Sequence, residues 1–376
     1  MTVEMIVRPG LEGVIALDTR MSHIDGIAGE LTIGGFALED IAGKATFEEM
    51  VYLLWHDQLP TTDDLDIFSR NLAEKRQLEK PTLDVLRASA DKQLSIMDTL
   101  RMAAGTLSLY TTGDDLQVGA EVAVATFPTI VSAYWRLLNG DEPIAPRADL
   151  SHAGNYLYML DGETPTLERE RAMNTYLNTV IEHGLNASTF TARVIIATHS
   201  DMISAIVGAI GALKGPLHGG APGPALDMVF EIGTADKAES VIRAKLDAGE
   251  RLMGFGHRVY KVRDPRADVL GAEAKRFFAE GDQQDLYALA MHVEQTAIRL
   301  LEEYKPNRKL QTNVEFYTAL ILHGIGLPVD LFSPTFAVAR VGGWTAHALE
   351  HINDGLRIIR PRAGYSGDFG RVYNHN

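Results

Sequence analysis

Three segments place a histidine among turn glycines and polar side chains: EHGLNAS at Glu182–Ser188, KGPLHGGAPG at Lys214–Gly223 and MGFGHRVYKVRDPR at Met253–Arg266. Glycine lets a backbone approach a ligand closely, and histidine can give or take a proton near neutrality. The third segment sets Arg258, Lys261, Arg263 and Arg266 against the single Asp264, and Arg357, Arg360 and Arg362 gather around Pro361. In an acidic chain such clusters make local fields for an anion, and the fixed fork of arginine suits carboxylates and phosphates. Gly254-Phe255-Gly256 is a lone GxG without a dinucleotide fingerprint, and no GxxxxGK[ST] phosphate loop occurs. His347 and His351, four apart on an expected helix, could share a face as metal ligands. Ala348 stands where the zincin pattern needs glutamate, so no metal site is expected.

The elements that must position these groups read as helices. Asp236 and Glu239 make a capping-box start, Ala238, Val241, Ile242 and Leu246 form one apolar stripe, and Gly249 supplies the stop. The same spacing recurs through Leu286, Leu289, Val293, Ala297, Leu300 and Leu301. Pro128 interrupts an apolar helical pattern from Val118 to Leu138 and predicts a kink or break. Small residues at Ala205, Gly208, Ala209 and Gly211 would let two helices approach closely, within one chain or between subunits. Strand signals are confined to the first 35 residues, where Val14–Ala16 and Leu31–Ile33 flank an Asp25-Gly26 turn. Strands do not alternate with the helices, which argues against βαβ units and a Rossmann fold.

At 376 residues the chain has room for two to three domains. Its 35 basic and 50 acidic residues give a net charge of −15, which repels nucleic acid and anionic membranes. Without cysteine there is no disulfide, thiolate metal site, iron–sulfur cluster or cysteine nucleophile, a composition suited to a reducing cytoplasm. The opening MTVEMIVRPGLEGV, with Glu4 and Arg8, lacks the pattern of a secretory signal. The weakly charged stretches Val122–Trp135 and Met202–Leu213 fall short of the ~18–20 residues of a membrane span. A soluble, cytoplasmic protein is expected.

Taken together, EHGLNASTFTARV, LKGPLHGGAP, RLMGFGHRVYKVRDPRA, NVEFY, FAVARVGGWTAHALE and RIIRPRAGYSG resemble the citrate synthase family, in the same order and at similar intervals. With GLEGV and HIDG near the start, the similarity runs to about Gly367. The resemblance implies an all-α, two-domain fold with a minor N-terminal β-hairpin. It places a large domain at 1–219 and 327–376 and a smaller inserted one at 220–326. It further implies a homodimer that condenses acetyl-CoA with oxaloacetate and hydrolyses citryl-CoA, with CoA as product and no metal or permanently bound cofactor. By the same resemblance, His218 polarises the thioester carbonyl and His257 the oxaloacetate ketone. His183, Arg266 and Arg340 hold oxaloacetate, Arg360 reaches into the neighbouring subunit's site, and Ser188 orients His218. Leu252, Met253, Gly254, Phe255 and Gly256 cradle the CoA adenine, and Lys261 contacts a phosphate. A 2-methylcitrate synthase using propionyl-CoA, or a non-catalytic paralogue binding CoA or oxaloacetate, are the alternatives.

These roles agree with the chemistry. A thioester methyl is a poor carbon acid, so its deprotonation needs a placed carboxylate and a donor where enolate charge develops. Two departures stand out. The family's usual aspartate base is here Glu315, whose extra methylene moves the carboxylate by about 1.5 Å, against a tolerance of ~0.5 Å. Uncompensated, such a misplacement costs about a hundredfold in rate. Pro222 replaces a frequent asparagine and, with Pro216 and Pro224, is expected to stiffen the loop after His218.

Overall fold

The computed structural model describes residues 7–111, 115–218, 222–279 and 283–373. Among these are sixteen α-helices and one small antiparallel sheet, β1 (Ser22–Asp25), β2 (Glu30–Ile33) and β3 (Phe36–Ala37), in the order β1-β2-β3. Val14–Ala16 is not a strand. The hairpin lies later, with Ser22 opposite Ile33 and Asp25 opposite Glu30. Its turn is held by the Asp25 carboxylate, which accepts from the N–H groups of Ile27 and Ala28 at 2.8 Å each. Ser22-His23-Ile24-Asp25 is too polar to announce itself by alternation, whereas Leu31 and Ile33 are buried and were legible.

Helix Leu116–Leu138 runs unbroken through Pro128. Side-chain hydroxyls bond to carbonyls on either side, Thr126 to Val122 at 2.7 Å and Ser132 to Pro128 at 2.8 Å. At 23 residues this helix is long and apolar enough to cross a membrane, contrary to the length expected from sequence. However, 78% of its most apolar window is buried inside the fold. It is a core helix, packed against Ile96–Thr106, His152–Asp161 and Phe332–Asn353. The small-residue helix Met202–Leu213 packs within the chain against Ala187–Ile196 and Phe332–Asn353, with Gly208 directly against Ile195.

A second group of helices comprises Pro222–Ile232, Ala238–Asp247, Pro265–Ala279, Gln284–Tyr304 and Val314–Gly324. The expected stripe of Ala238, Ile242 and Leu246 is buried. The expected capping box is absent, because a short 3-10 turn at Ala235–Lys237 leads into the helix and Glu239 instead pairs with Arg243 and Arg299. Gly249, at φ +75°, ends the segment in the left-handed conformation that glycine adopts without strain.

The two groups meet at helix Leu167–Val180, which packs against both Pro265–Ala279 and Val314–Gly324. Arg171 pairs with the buried Glu273 at 3.2 Å, and Arg169 donates to the carbonyl of Ile325 at 3.2 Å across this seam. Pro222 is the first residue of its helix, a position where a missing N–H costs nothing. The expected domain boundary at 219/220 lies outside the described residues.

Candidate active site

Helix Leu167–Val180 ends immediately before Glu182 and His183. The buried Glu182 carboxylate accepts from the N–H of Gly184 (2.6 Å), the hydroxyl of Ser22 on β1 (2.9 Å) and Nε2 of His347 (3.0 Å). Burial alone would raise the pKa of Glu182, but His347, Arg340 and Ser22 outweigh it and hold it below the usual range. His347 is in turn held through Nδ1 by the buried Arg193, whose guanidinium also pairs with Glu350. Both ring nitrogens of His347 are therefore engaged by protein groups. The small sheet also reaches the next loop, where Lys261 N–H donates to the Gly26 carbonyl at 2.7 Å.

That loop presents His257 and Arg266. His257 Nδ1 accepts from the N–H groups of Val259 and Tyr260, both at 3.1 Å. Burial, then the nearby Arg266, push its pKa down to about 4, so the ring is neutral at pH 7. With Nδ1 accepting, Nε2 carries the proton. Arg266 Nη2 lies 3.3 Å from that Nε2 and is also a donor. Two adjacent donors that cannot bond each other need a shared acceptor, such as a ketone or carboxylate oxygen.

Arg266 is fixed by the buried Asp264 through Nε (3.0 Å) and Nη2 (2.8 Å). Asp264 also accepts from the first N–H of helix Val314–Gly324 at 3.3 Å. His183 Nε2 is 3.1 Å from the Tyr260 hydroxyl, and its ring meets that of His257 edge-on at 5.7 Å. Burial, with Arg266, Arg340 and His257 close by, holds His183 far below the usual histidine range. Arg340 donates Nε to the Val180 carbonyl at 2.7 Å, and among the described residues the rest of its guanidinium forms no hydrogen bond. Burial brings the pKa of Arg340 down to about 10.

Glu315 sits in the first turn of its helix, capped by Asn313. Its carboxylate accepts no hydrogen bond from the described residues. Burial, reinforced by Asp264 and opposed by Arg266 and Arg340, raises its pKa to about 7. Asn313 also pins the neighbouring loop by donating twice: its N–H to the Gly254 carbonyl (2.9 Å) and its side-chain amide Nδ2 to the Gly256 carbonyl (2.8 Å). Gly254 and Gly256 have φ of +87° and +81°, and a Cβ on them would press on Phe316 and Leu310. Leu252–Gly256 is thus laid against the segment that leads to Glu315, with an isolated antiparallel bridge between Phe255 and Thr312.

His218 Nε2 lies 2.8 Å from Ser188 Oγ and accepts from the Ser188 N–H at 3.3 Å. That assigns the proton of the neutral ring to Nδ1. Burial and then Arg340 lower its pKa to about 4. Ser188 Oγ is itself placed by Trp344 Nε1 at 3.1 Å and Asn186 Oδ1 at 2.8 Å.

The family model described as citrate synthase, C-terminal domain, matches residues 10–362. A citrate synthase of Haloferax volcanii is 41% identical over 373 residues, 96% of each chain. The chain belongs to the citrate synthase family. Citrate synthase from Pyrobaculum aerophilum superposes with a TM-score of 0.87 at 37% identity, covering 99% of this chain and 97% of that one. The citrate synthase of Thermoplasma acidophilum, solved as a ternary complex with carboxymethyl coenzyme A and oxaloacetate, gives 0.87 at 30% identity with 98% of each chain covered. An enzyme of this family transfers an acyl group.

The structure thus gathers His183, His257, Arg266, Arg340 and Glu315 into one electrostatically coupled cluster, with His218 and Ser188 coupled to it through Arg340. Arg360 lies elsewhere, exposed in the extended segment after Asn353. Lys261 is exposed and donates Nζ to the Arg258 carbonyl at 3.1 Å. A cavity of about 300 Å³ opens beside it, lined also by Arg263 and Lys309. Sequence reasoning missed the groups that hold this cluster. Asp264 was noted as a lone negative charge, although its two-residue spacing from Arg266 hinted at the clamp. Nothing in their separation links Trp344 to Ser188, or His347 to Glu182.

Proposed function

We propose that this enzyme condenses acetyl-CoA with oxaloacetate and hydrolyses citryl-CoA to citrate and CoA. The observation that carries the reading is the pair of convergent donors, His257 Nε2 and Arg266 Nη2, beside a half-buried carboxylate that takes no hydrogen bond from the described residues. Glu315 removes a proton from the acetyl methyl group, and His218 donates from Nδ1 to the thioester oxygen as enolate charge develops. The methylene carbon attacks the ketone carbon, whose oxygen becomes the alkoxide opposite His257 Nε2. Water then cleaves the thioester, releasing CoA as a thiol. Arg266, Arg340 and His183 hold the carboxylates of oxaloacetate, and Ser188 fixes His218.

In this reading Leu252, Met253, Gly254, Phe255 and Gly256 bind the CoA adenine, and Lys261 contacts a phosphate. Residues 220–326 form a small domain closing on the large one, 1–219 with 327–376. Arg360 completes the site of the second subunit in a cytoplasmic homodimer. Domain closure excludes water during condensation.

The test is thiol release from acetyl-CoA and propionyl-CoA, each with and without oxaloacetate, against the low background of a cysteine-free protein. Oxaloacetate-dependent release favouring acetyl-CoA is expected. Preference for propionyl-CoA would reassign the enzyme to 2-methylcitrate, since one methylene discriminates by only ~1–3 kcal/mol. Release with neither, from protein that still binds oxaloacetate, would leave a non-catalytic binding protein.

A further inference from the structure

Helix Leu167–Val180 carries a group that the reaction scheme above does not use. Tyr176 is fully buried, and its hydroxyl has no hydrogen-bond partner among the described residues. A buried donor left unpaired costs about 1–3 kcal/mol. Tyr176 is one turn before Val180, whose carbonyl holds Arg340, so Tyr176 and that carbonyl lie on one face of the helix. The helix packs against Val314–Gly324, which carries Glu315. After burial itself, the charge that acts most on the Tyr176 phenol is that of Glu315, followed by Arg340 and the Tyr156 phenol. Tyr156 is already bonded to Thr335 at 2.9 Å.

Two helices packed against each other thus carry a buried donor with no acceptor, Tyr176, and a half-buried carboxylate that takes no donor from the described residues, Glu315. We propose that Tyr176 is a positioning residue that donates its hydroxyl proton to the Glu315 carboxylate as the seam closes. The extra methylene of glutamate gives the carboxylate the reach to take this bond. The inference rests on the reading of Glu315 as the base. Of the other charges around Glu315, Asp264 and Arg266 clamp each other and Arg171 pairs with Glu273, whereas Arg340, held through Nε on the Val180 carbonyl, keeps donors for the oxaloacetate carboxylates. Asp227 and Glu231 of the Pro222–Ile232 helix are exposed, with Glu231 paired to Lys245.

The experiment compares wild type, Tyr176→Phe, Glu315→Asp and the double variant. The pH dependence of kcat is followed, together with the ¹³C NMR titration of Glu315 in protein carrying labelled glutamate, assigned with Glu315→Gln. A hydrogen bond to the ionised form lowers a carboxyl pKa. Tyr176→Phe is expected to move the Glu315 titration and the acid limb of kcat upward by about 0.5–1 pH unit. It is expected to lower kcat at pH 7 roughly three- to tenfold and to leave the KM for oxaloacetate unchanged. In the Glu315→Asp background, whose carboxylate is too short to reach, Tyr176→Phe is expected to change nothing further. An unmoved Glu315 titration in Tyr176→Phe, or an equal effect of Tyr176→Phe in both backgrounds, would overturn the proposal. A shifted titration in an enzyme that releases no thiol would keep the pair and remove the catalytic reading of Glu315.

Discussion

The two halves of the candidate site are built to different degrees of completion. Around His257, Arg266 and His183 each side chain already has a fixed holder, which leaves His257 Nε2 free for a ligand: Asp264 grips Arg266, two N–H groups hold His257, and Tyr260 meets His183. Around Glu315 the carboxylate takes no hydrogen bond from the described residues, and the unpaired donors of this half are the rest of the Arg340 guanidinium and the Tyr176 hydroxyl, the latter on a helix packed across the seam. The difference follows from the chemistry each half must do. Holding a small dianion rewards donors frozen before it arrives. A base must keep a proton affinity close to that of the working pH, which a fully bonded carboxylate loses. Desolvation, reinforced by Asp264, is what raises Glu315 to about 7 against the pull of Arg266 and Arg340.

The sharpest way to break this contrast is Glu315→Gln. Turnover is expected to fall by roughly 10²–10⁴-fold, with oxaloacetate affinity, read by calorimetry, unchanged. The same variant tests the electrostatics through stability. A carboxyl raised from the ordinary 4.5 to about 7 binds an extra proton in the folded state between those values. Wild-type stability therefore falls as pH rises through that window. Glutamine mimics the protonated form, so the variant is expected to be more stable at pH 8, by an amount on the order of 1–3 kcal/mol, and equal to wild type below pH 4. Because His183, His218 and His257 are all held neutral at pH 7, the fall of wild-type activity below about pH 7 belongs to Glu315.

On the completed side, Asp264→Asn removes a charge but keeps the shape. Arg266 loses its counter-ion and rotates more freely. The KM for oxaloacetate is expected to rise about 10–100-fold, with a smaller fall in kcat. An effect on kcat alone would mean that Asp264 tunes Glu315 rather than holding Arg266, since it also bears on the glutamate's proton affinity.

How much of this was legible in advance divides along the same line. The ligand-facing histidines and arginines announced themselves by glycine-rich settings and ordered motifs, because close approach to a ligand restricts residue types locally. The helical architecture was legible from apolar periodicity, as with Ala238, Ile242 and Leu246. The supports were not, because they are long-range. Ser22 reaches Glu182 across 160 positions and Trp344 reaches Ser188 across 156. The capping box at Asp236 failed for a different reason: a 3-10 turn shifted the helix start, which local spacing does not register.

Ser188 allows the contrast to be probed at its finest, since it bridges a ligand-facing ring and a buried support. Its hydroxyl and N–H both meet His218 Nε2, and Trp344 donates to the hydroxyl. Ser188→Ala leaves the backbone N–H in place, so the tautomer with the proton on Nδ1 is kept while the hydroxyl contact that fixes the ring is lost. One neutral hydrogen bond contributes about 0.5–1.5 kcal/mol, so kcat is expected to fall roughly two- to tenfold with the KM for oxaloacetate unaltered. Trp344 Nε1 loses its partner at the same time, which is expected to appear as a change in tryptophan fluorescence and a small drop in Tm. If kcat is unmoved while Tm falls, Ser188 supports Trp344 alone, and the orientation of His218 comes from the backbone of its own turn.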